Sequence, residues 1–300
     1  FLTLAYFLVP TAYNKDFIQK EIKNQILLKY QIRVEFSDEI NYGLFPKPHF
    51  VAKNLSILND KKKIAVVNNL KIFIGFKNFF KFDQIQIKDL IFNKLEFNIQ
   101  KSDLNFFKNI LEAEPNRQKF VIKNSSIFFL DKDEEVLFIN QIDNSKFYFD
   151  FKNLKNIYSS KNKIFNVPYK ITIKNDKLNQ TSFTTLVLNK LRLKIENQVN
   201  YRKENKIGFL KINFKNKNNL INYKLEKNSL DFSLEDSNKT YNGNIEFKPF
   251  YMVSNLNYQN LKLSDLISNP LLNDIIKTKI ISNENLNAEI NINIKKIVDF

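Results

Sequence analysis

The stretch "NLKIFIGF", Asn69–Phe76, places Leu70, Ile72, Ile74 and Phe76 on one side of an extended chain. Successive strand side chains point to opposite faces, so a period of two reads as a strand with one face buried and one wet. A helix would repeat its apolar residues every three or four positions instead. The same period recurs outward in both directions. It aligns Ile85 with Ile87 in "FDQIQIKDL", and Leu95, Phe97 and Ile99 in "KLEFNIQ". Further on it aligns Phe147, Phe149 and Phe151, then Tyr169, Ile171 and Ile173, then Leu210, Ile212 and Phe214. Leu230, Phe232 and Leu234 follow, and Ile290, Ile292 and Ile294 close the series. Strands buried on both faces would read as continuous apolar runs. The alternation therefore predicts a mostly β protein with a few short helices, built on a long antiparallel sheet. Short polar links such as "NDKKK" (59–63), "DKDEE" (131–135), "NDKLNQ" (175–180) and "EDSNKT" (235–240) would join its strands.

Composition agrees with a sheet. Of 300 residues 43% are hydrophobic, and 30 Phe and 12 Tyr favour strand over helix. Four glycines are too few for the left-handed positions of tight hairpins, which leaves Asn to supply them. Two stretches interrupt the period. "SDLNFFKNILEAE" predicts a helix near 102–112, capped by Ser102, with Leu104, Phe107 and Leu111 on one face. "KLSDLISNPLLNDIIKTKII" predicts short helices near 264–277, split by Pro270.

The start of the chain differs from its body. Residues 1–13, "FLTLAYFLVPTAY", are apolar and uncharged, and the chain begins with Phe. They read as the end of a transmembrane anchor. The next stretch, 14–30, sets Ile18, Ile22 and Ile26 at helical spacing among charges, which predicts an amphipathic helix just outside a membrane. Two β sections follow, 31–158 and 159–300, joined by a loop around Ser159–Lys163, the second continuing beyond the piece given.

A net charge of +16 raises nucleic acid as a partner. The lysines, however, are spread along the whole chain and Arg is scarce, whereas base edges are commonly read by Arg. The pattern predicts no nucleic-acid partner and a mild attraction to anionic headgroups. One His and no Cys remove the usual zinc sites, thiol dyads and disulfides. Glycines at 43, 75, 208 and 243 form no phosphate-cradling loop, and "DKDEE" lacks the glycine and later Glu of a calcium loop. No catalytic residue, metal site or cofactor is expected, and the chain is read as a non-enzyme.

"YGLFPKPHF", Tyr42–Phe50, gathers one glycine, two prolines and the only histidine. Pro46 and Pro48 bias their predecessors toward extended backbone and cannot donate to a ladder; Gly43 allows an unusual φ. Gly43, Pro46 and Pro48 thus predict a non-pairing kink, with His49 on the surface at the head of the next strand.

These features together resemble the N-terminal region of the AsmA family. There an anchor helix is followed by an apolar-Phe-Pro-x-Pro segment, matched here by Leu44, Phe45, Pro46 and Pro48, then by Phe50, Leu55 and Ile57. "KIFIGFKNFFKFDQIQIKDL" matches the next strand, link and strand, although the family's later proline is absent. "GNIEFKPFYMVSNLNYQNLKLSDLI" is similar to the family's repeated unit. The resemblance covers residues 1–110 and 240–300, and the middle more loosely. It implies a single-pass inner-membrane protein with its bulk in the periplasm of a Gram-negative bacterium, acting in outer-membrane biogenesis. It implies a curved sheet with an apolar inner groove, with phospholipid acyl chains, the inner membrane and other envelope proteins as partners.

A one-sided apolar sheet covers that side with helices, a second sheet or a ligand. Exposing about 16 methylenes to water costs about 0.8 kcal/mol each, so a groove that shelters one acyl chain offsets roughly 13 kcal/mol. The expected groove residues are Ile72, Ile74, Ile85, Ile87, Leu95, Phe97, Ile99, Ile171, Ile173, Ile212 and Phe232. A closed β core, serving as a periplasmic scaffold or assembly factor, is the alternative.

Overall fold

The structure, a computed structural model, describes residues 14–30, 32–43, 47–59, 61–75, 87–106, 119–202, 206–214, 217–236, 239–262 and 287–298. The expected anchor end at 1–13, the helices near 264–277 and residues 107–112 lie outside the described residues. Among the described residues no helix is long and apolar enough to cross a membrane. The chain divides into two compact units, Phe1–Ile164 and Phe165–Phe300, each mostly strand. Ser159–Lys163, expected as a loop, lies within a strand of the first unit.

The first unit opens with helix α1 (Lys15–Tyr30). Asn14 caps it: its Oδ1 accepts the amides of Asp16 at 2.9 Å and Phe17 at 3.2 Å. Asp16 adds a negative charge at the positive end of the helix. Ile18, Ile22 and Ile26, four residues apart, are at most 1% exposed and belong to the unit's hydrophobic core. The apolar stripe read as lying beside a membrane is thus spent on intramolecular packing, at about 1.5–3 kcal/mol per side chain.

Eight strands complete this unit: β1 (Arg33–Phe36), β2 (Asn41–Gly43), β3 (His49–Asn59), β4 (Lys62–Ile74), β5 (Ile87–Ile99), β6 (Lys119–Leu130), β7 (Val136–Asp150) and β8 (Lys155–Ile164). β1 and β2 pair with different ends of β3. From β3 to β8 each strand pairs with the next, antiparallel except for the parallel pair β5–β6. The second unit holds β9 (Val167–Asp176), β10 (Thr181–Leu188), β11 (Leu193–Asn200), β12 (Lys206–Phe214), β13 (Lys217–Leu225), β14 (Ser229–Asp236), β15 (Lys239–Phe247), β16 (Phe250–Leu261) and β17 (Asn287–Ile297). Here β9 to β16 form an antiparallel succession, and β17 lies parallel to β16.

The expected antiparallel sheet is therefore mixed. Parallel neighbours need a crossover of a dozen or more residues, commonly helical. The two parallel pairs flank the two stretches in which the sequence breaks its period of two, 100–118 and 262–286. Only the first turns of the former are described. A 3-10 turn at Lys101–Asp103 leads into helical residues 104–106, and its cap is Gln100 rather than Ser102. Asp103 closes a capping box there, accepting the Gln100 amide at 2.9 Å.

Polar links behave as expected, by a different chemistry. At the β6–β7 tip, Asp131 Oδ1 accepts the amides of Asp133 and Glu135, each at 2.9 Å. At the β9–β10 turn, Asp176 Oδ1 accepts the Asn179 amide at 2.9 Å. Among the described residues nine non-glycine residues have positive φ, three of them Asn, and no described glycine has one. Aspartate side chains stapling the backbone carry much of the work assigned to asparagine.

One feature of the first unit organises its core. In β3 the buried residues run Phe50, Ala52, then Leu55, Ile57; in β4, Ala65, Val67, then Leu70, Ile72, Ile74. β5 runs Leu90, Phe92, then Leu95, Phe97, Ile99; β6 runs Phe120, Ile122, then Ser125, Ile127; β7 runs Asn140, Ile142, then Ser145, Phe147. Each of these five strands changes parity across a central pair of polar residues, and Ile64 of β4 and Ile87 of β5, beside register shifts nearer the strand ends, are buried as well. Register places these changes side by side. Lys53–Asn69 and Leu55–Val67 set Asn54 opposite Asn68, and Val67–Leu95 with Asn69–Asn93 set Asn68 opposite Lys94. Asn124 then lies beside Lys94, and Asp143 opposite Asn124. Asn54, Lys94 and Asn124 have φ of 48°, 53° and 49°. A single extra residue would normally throw all later side chains to the wrong face. Because five neighbouring strands take it at one level, ladders stay in register and the apolar residues stay inside. The row stops at β8, where register against β7 slips between Ile142 and Asn144. At its other end β1 and β2 are separate strands, and Asn54 Nδ2 donates to Asp38 Oδ2 at 3.0 Å.

Candidate functional site

The second unit keeps its period of two without a parity change, and register turns that into one face. Ile171 faces Leu186, which faces Ile195, which faces Ile212. Leu210 faces Ile221, and Tyr223 faces Phe232, which faces Gly243. Tyr241 faces Leu256, and Leu256 faces Ile292. The opposite face carries Lys170, Lys174, Lys194, Lys211, Lys224 and a ladder of asparagines, with Phe183, Val187, Phe209 and Leu220 set among them. Asn255 Nδ2 donates to Asn242 Oδ1 at 3.2 Å, and Asn291 Nδ2 to Asn255 Oδ1 at 3.2 Å.

The two units treat their apolar faces differently. In the first, Leu55, Leu70, Ile72, Leu90, Phe92 and Leu95 are all 0% exposed. In the second, the buried hydrophobic residues among those described are Val167, Leu188, Leu234 and Leu261. The rest of the face is half-buried, and on β17 Ile290, Ile292 and Ile294 are exposed at 53%, 49% and 38%. Among the expected groove residues, Ile72, Ile74, Ile87, Leu95, Phe97 and Ile99 are buried in the first unit's own core. Helix α1 and Phe106 pack there, the Phe106 ring lying 6.1 Å from that of Phe97. Ile171, Ile173, Ile212 and Phe232 lie half-buried on the second unit's face. Ile85 lies outside the described residues.

Two aromatic rings lie flat on that face because glycines leave room. A Cβ on Gly208 would fall 2.4 Å from the Tyr223 ring, and one on Gly243 would fall 2.5 Å from that of Phe232. The Tyr223 hydroxyl reaches past Gly208 to donate to Asn197 Oδ1 at 2.7 Å. Laid against the sheet, the two rings present their faces outward and keep the surface low across β12–β15. At the far end of the face, Tyr258, Ile292 and Ile294 line a concavity of about 430 Å³ with Lys239 and Lys295 among its walls.

The "YGLFPKPHF" segment has a different role from the one expected. Gly43 belongs to β2 and pairs with His49 of β3, so the segment closes a hairpin; Pro46 lies outside the described residues. His49 is 3% exposed rather than on the surface. Its Nδ1 lies 2.7 Å from the Lys47 carbonyl, which can only accept, and its ring stacks on Phe73 at 5.1 Å. A Cβ on Gly43 would fall 2.8 Å from that ring, so the glycine supplies space, and its φ is ordinary. Pro48 is buried beside it.

Among the described residues of the first unit, Asp103 is the one buried carboxylate with a shifted titration. Burial pushes its carboxyl up. The Gln100 amide, Lys62 Nζ at 2.9 Å and Asn59 Nδ2 at 3.3 Å push it down and prevail, holding it below the ordinary carboxylate value. The cluster ties the β3–β4 turn to the start of the crossover. Among the described residues, no group of three or more His, Asp or Glu is placed to hold a metal ion. No protein-family model matches the chain, and no curated protein matches it.

Proposed function

We propose that the protein handles lipid, with the apolar face of β9–β17 holding acyl chains as an AsmA-like envelope protein would. The observation that carries this reading is a nine-strand face of aligned Ile, Leu, Phe and Tyr that is half-buried to exposed. At about 4.8 Å per strand it extends for about 38 Å along the pairing direction, room for one extended acyl chain or two. Contacts to such a face are non-directional, so a chain can move along it without losing a specific bond at each step. Lys239 and Lys295, in a concavity that Thr240, Asn257, Gln259 and Asn293 line beside Tyr258, Ile292 and Ile294, suit a phosphate headgroup. On the same reading the bulk of the protein lies in the periplasm and is tethered to the inner membrane through its N-terminal end. The sealed core of the first unit supports a scaffolding role for that part alone, which is the closed-core alternative confined to residues before 165.

Native mass spectrometry of protein purified without detergent tests the proposal. Co-purifying phospholipid is expected, reduced by Ile171→Asp with Ile212→Asp and retained by Lys174→Asp. Lipid-free protein would count against it.

A further inference from the structure

A second concavity lies in the first unit and shares no lining residue with the acyl-chain proposal. It is an open depression of about 480 Å³ between α1, the start of β1 and the β3–β4 turn. Val34, Leu27 and Leu58 give it apolar walls, and three cations reach it from three separate elements: Lys23, Arg33 and Lys61. Its one carboxylate is Glu35. Elsewhere lysines close on nearby carboxylates, as Lys15 does on Glu39 at 3.1 Å and Lys194 on Glu196 at 2.7 Å. Among the described residues none of Lys23, Arg33, Lys61 and Glu35 forms an ion pair within 4.0 Å. Lys23 Nζ is held 5.6 Å from the centre of the Phe36 ring instead.

We infer that this concavity is a binding site for a phosphate group. Three unpaired cations against one carboxylate leave two net positive charges facing a low-dielectric wall, which focuses the field on the space between them. Arg33, one of few arginines in a lysine-rich chain, brings a planar fork that matches two oxygens of a tetrahedral phosphate. Lys23 and Lys61 then meet the remaining oxygens as point charges. The volume holds a phosphate with a glycerol-sized substituent. The same chemistry serves a free phosphate ester or a phospholipid headgroup.

Titration of the intact chain with sn-glycerol 3-phosphate, and flotation with phosphatidylglycerol vesicles, test this. Vesicles of a neutral galactolipid supply the phosphate-free control. The variant K23Q/R33Q/K61Q removes the three cations, and K170Q/K174Q/K211Q removes the same charge from the second unit's polar face. At about tenfold or less per cation, the pocket variant should lose about 100-fold in affinity, and the control variant less than about twofold. Binding of the soluble ester assigns the site to free phosphate esters; binding of phosphatidylglycerol vesicles alone assigns it to headgroups. Equal losses in both variants would overturn the proposal, as would wild-type protein that binds neither probe. Circular dichroism confirms that both variants fold. Failure here leaves the acyl-chain reading untouched, since that concerns β9–β17.

Discussion

The backbone amide of Leu95 donates to the hydroxyl of Ser125 at 3.0 Å, across the parallel pair β5–β6. The hydroxyl in turn donates to the Lys123 carbonyl at 2.7 Å. The bond sits at the level where five strands change parity together and the β5–β6 ladder breaks between Asn93–Lys123 and Glu96–Ser126. Ser125 thus takes the place of a backbone acceptor that the extra residues have moved away.

Ser125→Ala should leave a buried amide without an acceptor and lower stability by about 1–3 kcal/mol. The midpoint of urea unfolding measures it. An unchanged midpoint would mean that the hydroxyl is replaceable.

Lys94, with φ of 53°, pays a steric cost for its Cβ that glycine would not. Lys94→Gly should raise stability by up to about 1 kcal/mol, and Lys94→Val should lower it, since a branched Cβ fits the left-handed region poorly. Deleting Lys94 should do far more. Leu95, Phe97 and Ile99 would turn to the wet face, and cooperative unfolding of the unit should be lost. A deletion variant that unfolds like wild type would refute the aligned-row account.

The pH dependence follows from Asp103. Its folded-state value lies below the ordinary 3.8, so the folded protein binds this proton less readily than the unfolded chain. The carboxylate's contribution is complete above the unfolded value and disappears as pH falls through the folded one. Asp103→Asn should cost about 1.5–3 kcal/mol near neutral pH. The gap to wild type should close in acid below the usual carboxylate range. Urea melts across that range measure the convergence, and a gap that does not vary with pH would contradict it.

The sequence showed the strands plainly and the sites where they are interrupted, because a period of two survives any tertiary arrangement. It also marked the parity changes, although this signal is easy to pass over. "AKNLSI", "VNNLKI", "FNKLEF", "IKNSSI" and "IDNSKF" all set two residues, at least one of them Asn, between inward positions that then resume with opposite parity, beginning at Ser125 and Ser145 in the last two. Reading Leu70–Phe76 or Leu95–Ile99 alone finds the strand and misses the shift just before it. Parallel pairing is not read from the sequence, whose alternation predicts an antiparallel sheet, although the two helix-like interruptions stand where the parallel pairs β5–β6 and β16–β17 need their crossovers. Burial of His49 was not legible. It depends on Phe73 and Gly43 meeting its ring, and cross-strand partners follow from register rather than local pattern. For the same reason alternation could identify the candidate face at Ile171, Ile173, Ile212 and Phe232, yet could not separate it from Ile72 or Leu95, whose equally regular strands are covered by α1 and the core.

A photoactivatable crosslinker at position 212, on the apolar face, and at position 211, on the polar face of the same strand, tests the central proposal most directly. With labelled phospholipid present, irradiation should give an adduct at 212 and none at 211. Equal labelling at both positions, or none at 212, would contradict the proposal that this face holds acyl chains.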